Sequence, residues 1–249
     1  MTKQSIWKKR WARKSKDIMG STSLDFFALR AFQVLDKYIE PKDDLVLEIG
    51  SGTGRFCIAL AKKYPSKKII GIDYTDESVA LSNKGAKMRG LNNVEFRKAD
   101  LFQLPFPDNH FDLVFENGVI EHFKNYPEAL LEMKRVVKKG GKIIINVNNW
   151  YCFPKTIEKK ILGKYYPFGY EKSFKHKEVI KAFKELGLTD IKVFAYNPAN
   201  SVVRFFFFNK IIKRIVSLIT LFMEKLLDLL SQNRFSKRCG YMIFGVGRK

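Results

Sequence analysis

The stretch VLEIGSGTGRF, residues 46–56, ends a β-branched run in glycines at positions 50, 52 and 54 and opens a helical pattern. Glycine there lets the backbone turn sharply and approach a ligand closely, because no Cβ intrudes. The helix that follows offers unpaired N–H groups at its first turn. Two acids stand where later strands end. Asp73 closes KIIGID, and a carboxylate at that place can accept both hydrogens of a ribose diol. Asp100 closes VEFRKAD, where a carboxylate can receive an adenine amino group. A nicotinamide fingerprint would need a third glycine where Arg55 stands, and a P-loop would need a G-K-[ST] that is absent. The result is a crevice with places for a ribose and an adenine and none for a phosphate.

These residues need elements that bring them to one edge of a sheet. LVLEI (45–49), KIIGID (68–73), VEFRKAD (94–100), FDLVFEN (111–117), KIIINVN (142–148), DIKVFAY (190–196) and YMIFGVG (241–247) read as strands. Most are near-continuous apolar runs, the pattern of strands covered on both faces. Helical patterns occupy 55–63, 77–89, 127–137 and 176–185, and residues 24–39 repeat apolar side chains at helical spacing. The alternation predicts an α/β fold, a Rossmann-like, mostly parallel sheet with helices on both faces. Residues 1–23 form a basic N-terminal segment before a single domain, 24–249. Two insertions interrupt that domain. Residues 150–175 are aromatic, basic and irregular and are expected over the active face; residues 198–238 read as a long amphipathic helical insertion before the last strand.

VLEIGSGTGRF, GIDYTDESV, KADLFQLPFPDNHFDLVFENGVIEHF and LLEMKRVVKKGGKIIINV, in that order, resemble the class I S-adenosylmethionine-dependent methyltransferases. The likeness is to the branch that modifies small molecules, lipids and glycans. It covers roughly residues 40–148, and KSFKHKEVIKAFKELGLTDIKVF continues it more loosely. The resemblance implies a seven-stranded sheet whose last strand is antiparallel, and S-adenosylmethionine as cofactor. It implies that Glu48, Gly50, Gly52 and Gly54 line the methionine end. Asp73 would hold the ribose hydroxyls with Tyr74 beside the adenine. Asp100 would bind the adenine amino group, with Leu101 covering the ring. Glu116 and Asn117 would approach the cofactor's amino group through backbone carbonyls.

Methyl transfer to an oxygen also requires loss of a proton. His122, in GVIEHF after the fourth strand, is the candidate base, because its unperturbed pKa lies near neutrality. The other role open to it is capping a turn or orienting the pocket. Glu121 has the same positional argument, and an amine or activated-carbon acceptor needs no base. Exocyclic-amine methyltransferases of nucleic acids resemble one another in [DNS]-P-P-[YFW], whereas this chain reads Glu116-Asn117-Gly118-Val119. Cytosine-carbon enzymes use Pro-Cys, and here Cys152 follows Tyr151 and Cys239 follows Arg238.

The chain has 46 Lys and Arg against 25 Asp and Glu, a net charge of +21. That surplus points to anionic partners, namely nucleic acid, acidic lipid or an acidic substrate. It gathers first in MTKQSIWKKRWARKSKD, where Trp7 and Trp11 stand four apart between lysines and arginines. Aromatic anchors beside cations suit a headgroup region; a flexible basic tail is the plainer reading. Residues 202–231 read as one helix with a narrow polar stripe and an apolar face much wider than a surface helix needs. Its charges interrupt it too often to span a bilayer. Three uses fit it: lying in an anionic membrane interface, pairing with a second protomer, or folding back over the active site. Three cysteines without a C-x-x-C and no apolar run after the basic N-terminus favour the cytoplasm, with the protein peripheral on the cytoplasmic membrane face.

The sequence therefore leads to a methyltransferase acting on a small-molecule, lipid-like or lipid-linked acceptor, such as a quinone precursor, a lipid headgroup or a lipid-carried glycan. Two alternatives stay open, an RNA-directed methyltransferase and a non-catalytic cofactor-binding scaffold. No metal site is expected.

Overall fold

The structure, a computed structural model, describes residues 3–163, 166, 168–196 and 240–249. The expected insertion at 198–238 and Cys239 lie outside the described residues. Seven strands, β1 (Leu45–Ile49), β2 (Lys68–Asp73), β3 (Val94–Lys98), β4 (Phe111–Asn117), β5 (Val137–Asn148), β6 (Thr189–Tyr196) and β7 (Met242–Arg248), form one sheet in the order β3-β2-β1-β4-β5-β7-β6. Strands β1 to β5 pair in parallel, and β7 runs antiparallel to both its neighbours. The strand order reverses between β1 and β4. In open α/β sheets the crevice outside the carboxyl ends of the strands at such a reversal is where ligands bind.

Alternate strand residues face opposite sides, so the apolar runs dictate two buried faces. Val46 and Leu47, both fully buried, belong to different clusters. On one face Val46, Ile69, Ile144 and Phe244 meet Ala28 and Leu35 of α3 (Phe26–Asp36) and Phe56 and Leu60 of α4 (Arg55–Lys63). On the other, Leu47, Ile72, Val114 and Ile145 meet Leu130 and Met133 of α6 (Tyr126–Val136) and Val179 and Phe183 of α8 (His176–Glu185). Each large side chain fully buried this way contributes about 1.5–3 kcal/mol. Local signals set the helix starts. Asp25 accepts the Ala28 N–H at 2.8 Å to cap α3, and Pro127 stands in the first turn of α6.

Three expectations change. The basic N-terminal segment is not a free tail: residues Lys3–Lys14 form helix α1, which packs on α5 (Asp76–Lys87) with Lys8 Nζ 3.2 Å from Glu77. A short helix α2 (Ile18–Ser21) follows, and Arg89 donates to Met19 O and to the Thr22 and Ser23 hydroxyls, tying this segment to the domain. The 150–175 stretch is not wholly irregular, because Phe153–Leu162 forms α7 with Pro154 in its first turn. The aromatic and proline residues around it hid a short helical run. Strand β5 starts at Val137, earlier than its apolar run, and absorbs the extra residues in a register shift opposite Phe111 and Leu113.

A charge lock holds the sheet at Lys142, midway along β5. Lys142, 2% exposed, lies 2.7 Å from Asp43 and 3.1 Å from Glu40, and Arg248 at the end of β7 also pairs with Glu40. Asp43 is equally buried. Removing one partner of a buried pair strands the other charge, a loss on the order of 3–5 kcal/mol. Lys142→Ala is therefore expected to lower the unfolding free energy by about that amount, read as a sharp fall in the urea midpoint. Ligand affinity at the opposite sheet edge should stay unchanged, and a wild-type midpoint would show that the lock contributes nothing.

Candidate active site

The loop between β1 and α4 has the left-handed backbone that its glycines allow, with φ of +65°, +55° and +71° at Gly50, Gly52 and Gly54. Space as well as conformation demands glycine. A Cβ at Gly50 would stand 2.4 Å from Val119, and one at Gly54 would stand 2.7 Å from Phe96 and Ser82. A Cβ at Gly52 would reach toward the Trp11 ring at 3.1 Å. Ser51 N–H donates to Ile72 O at 2.7 Å, and the Gly52 carbonyl accepts the Ser78 and Ser82 hydroxyls. The loop is thus fixed against the end of β2 and against α5.

Asp73 joins the two strand ends. Its Oδ2 accepts Gly52 N–H at 2.9 Å, and its Oδ1 accepts the N–H and hydroxyl of Thr75. Oδ2 keeps acceptor capacity for a further donor. Glu48 is buried below the loop, where its Oε2 accepts both the backbone N–H and the thiol of Cys57. Burial raises its carboxyl to about 8 against the lowering effect of those two bonds, so it is protonated at neutral pH.

A cavity of about 860 Å³ opens over this loop. It brings together Glu48, Gly50, Gly52, Asp73, Tyr74, Asp100, Leu101, Asn117 and His122. Tyr74 is half exposed, and Asp100 is an exposed turn residue beyond the end of β3, accepting Phe102 N–H at 2.9 Å. Gly54 sits behind the wall, packed on Phe96. Glu116 is not among the residues that line the cavity. Its carboxylate is 1% exposed and accepts N–H groups of Val119, Ile120 and Asn146. It shapes the turn after β4 that presents Asn117, Gly118 and Val119 to the cavity.

His122 closes the short 3₁₀ turn Ile120–His122 and is 5% exposed. Its Nδ1 lies 3.2 Å from Tyr170 O. A carbonyl only accepts, so Nδ1 is the donor of this contact. Nε2 stands 3.9 Å from Glu171, a carboxylate that Lys155 and Lys159 approach at 3.1 and 2.8 Å. Burial raises the Glu171 pKa, but the two lysines outweigh it and hold the group at about 2. The neighbouring Glu121 is an unlike case. Burial and the charge of Glu116 raise it far above the usual carboxylate range, Asn148 donates to its Oε1, and its Oε2 has no hydrogen-bond partner among the described residues. It is held as the neutral acid, which does not suit a base.

The sequence did not single out Arg10, Phe168 or Glu171, and it left Trp7 and Trp11 to a headgroup region or a flexible basic tail. The structure turns both indoles inward. Trp7 and Trp11 stack with centroids 5.5 Å apart, and Trp7 sets its edge to His122 at 5.1 Å. Their four-residue spacing showed one helical face but not what that face covers.

The family model described as a methyltransferase domain matches residues 41–185. The chain belongs to the class I S-adenosylmethionine-dependent methyltransferases. Among curated relatives, an uncharacterised protein of Methanocaldococcus jannaschii is 39% identical over 149 residues, covering 59% of this chain and 65% of that protein. A demethylmenaquinone methyltransferase of Thermus thermophilus is 32% identical over 113 residues, covering 45% of this chain and 51% of that one. The matches thus span between about half and two thirds of those relatives' length. An S-adenosylmethionine-dependent methyltransferase of Thermotoga maritima has the same fold, with a TM-score of 0.64 at 19% identity over 100% of both chains.

The donors of this methyltransferase fit its family's cofactor, S-adenosylmethionine. The glycine cradle is one that any Cβ would fill, Asp73 keeps an acceptor beside it, and Ile72, Leu101 and Phe102 give apolar walls. Asp73→Ala is expected to weaken S-adenosylhomocysteine binding by about 100-fold or more, as loss of a buried charge-assisted site and of the loop's anchor. Asp100→Ala, at an exposed turn, is expected to weaken it by roughly tenfold with an unchanged melting temperature. Calorimetric titration checks both, and near-normal affinity of Asp73→Ala would place the cofactor elsewhere.

Proposed function

We propose that this methyltransferase transfers the methyl group of S-adenosylmethionine to a small or lipid-like acceptor, such as a quinone precursor, a lipid headgroup or a lipid-carried glycan. The observation that carries the reading is one continuous cavity running from the glycine loop and Asp73 to His122 and an aromatic wall. It has room for a second molecule beside the cofactor. The relatives named demethylmenaquinone methyltransferases support a quinone-like acceptor. The apolar sequence of 198–238, with Lys210, Lys213 and Arg214 at helical spacing, supports a membrane-held one, with the protein peripheral on the cytoplasmic face.

The bound cofactor supplies an electrophilic methyl group. What remains for the protein is position, exclusion of water and handling of a proton. In this reading Asp73 would hold the ribose hydroxyls and Asp100 the adenine amino group, with Tyr74 and Leu101 flanking the ring. Glu48, Gly50 and Gly52 would line the methionine end, with Gly54 supporting the loop from behind, and Asn117 would approach the amino group. Trp7, Phe123 and Phe168 screen the reacting centre from water. His122 Nε2 would take the proton of an oxygen acceptor, and the imidazolium so formed would stand beside ionised Glu171, which favours it.

Methyl-labelled cofactor incubated with fractionated cell extract tests the reading. Label is expected in the organic-solvent extract; label confined to RNA or protein would overturn the acceptor class. On the labelled acceptor, His122→Ala is expected to lower kcat by about 100-fold or more. S-adenosylhomocysteine affinity should stay unchanged, and an unaltered kcat would remove His122 from proton transfer.

A further inference from the structure

Helix α1 supplies the cavity with a cation that the steps above leave unused. Arg10 lies on the wall among three aromatic rings. Its guanidinium carbon stands 4.9 Å from the centre of Phe168, 5.7 Å from Trp7 and 5.8 Å from Trp11. Such a cage fixes a guanidinium by cation–π and stacking contacts, but it brings no negative charge. Arg10 Nε is buried and has no hydrogen-bond partner among the described residues. The charges that bear on it are Arg13 and Arg55, both positive. After burial, they are what weakens its hold on its proton. Arg55 is answered by Asp25 at 2.8 Å, and Lys155 and Lys159 by Glu171.

A partly desolvated arginine without an anion is half of an interaction, because a buried charge is stable only when paired and hydrogen-bonded. The planar fork of its N–H groups matches a carboxylate or a phosphate. Its place bears on which molecule brings that anion. The cage shares Trp7 with His122 and Phe168 with the inserted segment, so it belongs to the wall beyond the turn after β4. Trp11, the third ring of the cage, reaches back over Gly52, so Arg10 stands between the glycine loop and that wall.

We propose that Arg10 receives an acidic group of the methyl acceptor, so that the acceptor is a carboxylate- or phosphate-bearing molecule whose body lies against Trp7 and Phe168. The word acceptor rests on the methyl-transfer reading above. The cofactor's own carboxylate is the other source of the same chemistry.

The test uses the full chain and the fluorescence of its tryptophans, two of which flank Arg10. Benzoate and inorganic phosphate are titrated separately into protein saturated with S-adenosylhomocysteine. At least one is expected to give a saturable change, weakened about tenfold or more in Arg10→Gln and partly kept in Arg10→Lys. Melting temperatures check that both variants fold. No saturable change with either anion, or equal affinity in Arg10→Gln, overturns the proposal. It is also overturned if Arg10→Gln loses affinity for S-adenosylhomocysteine while keeping it for 5′-methylthioadenosine, which lacks the amino-acid carboxylate. Arg10 would then serve the cofactor. The titration needs no turnover, so anion binding without label transfer would sink the methyl-transfer reading and leave the anion site standing.

Discussion

The hydrogen bond from Gly52 N–H to Asp73 is the constraint on which the site depends. It joins the end of β1 to the end of β2 through a loop whose three glycines sit where L side chains are strained. The sheet brings those strand ends side by side, and the reversal of strand order between β1 and β4 opens the space above them. Ser78 and Ser82 from α5 hold the Gly52 carbonyl from behind. The loop is thereby shaped before any ligand arrives, which is what preorganised binding needs.

The turn after β4 follows the same logic with buried carboxyl groups. Glu116 is used up in accepting backbone N–H groups, and Glu121 is kept neutral by burial. Neither contributes charge to the cavity. The negative charge near His122 comes from Glu171, in the inserted segment, whose Lys172 N–H donates to Glu121 O. Histidine and carboxylate are therefore far apart in sequence and are brought together by the packing of the inserted segment on the turn after β4. Lys155, which is buried, and Lys159, which is partly buried, set this carboxylate's ionisation.

The basic N-terminus shows how charge can mislead about partners. Its cations and indoles suit a lipid surface by composition. Folded as α1 against α5, the same residues form the wall of the cavity, with Trp11 over Gly52 and Trp7 beside His122. An arginine among three rings is a binding element here and not a solubilising charge.

The sequence alone determined the sheet, the glycine loop and the acids at Asp73 and Asp100, because strand periodicity and left-handed turns are local properties of residue type. It also carried the family likeness, since those motifs follow one another in unbroken order. It did not show that the Glu116 side chain turns to backbone N–H groups, because period-two alternation names a face without naming what covers it. It missed α7, whose short helical run is crowded by aromatics and proline. Tertiary structure alone decided that Trp7, Arg10 and Trp11 turn inward and that Glu171 meets His122. Those contacts join segments distant along the chain, and only the packing of helices and insertion on the finished sheet brings them together.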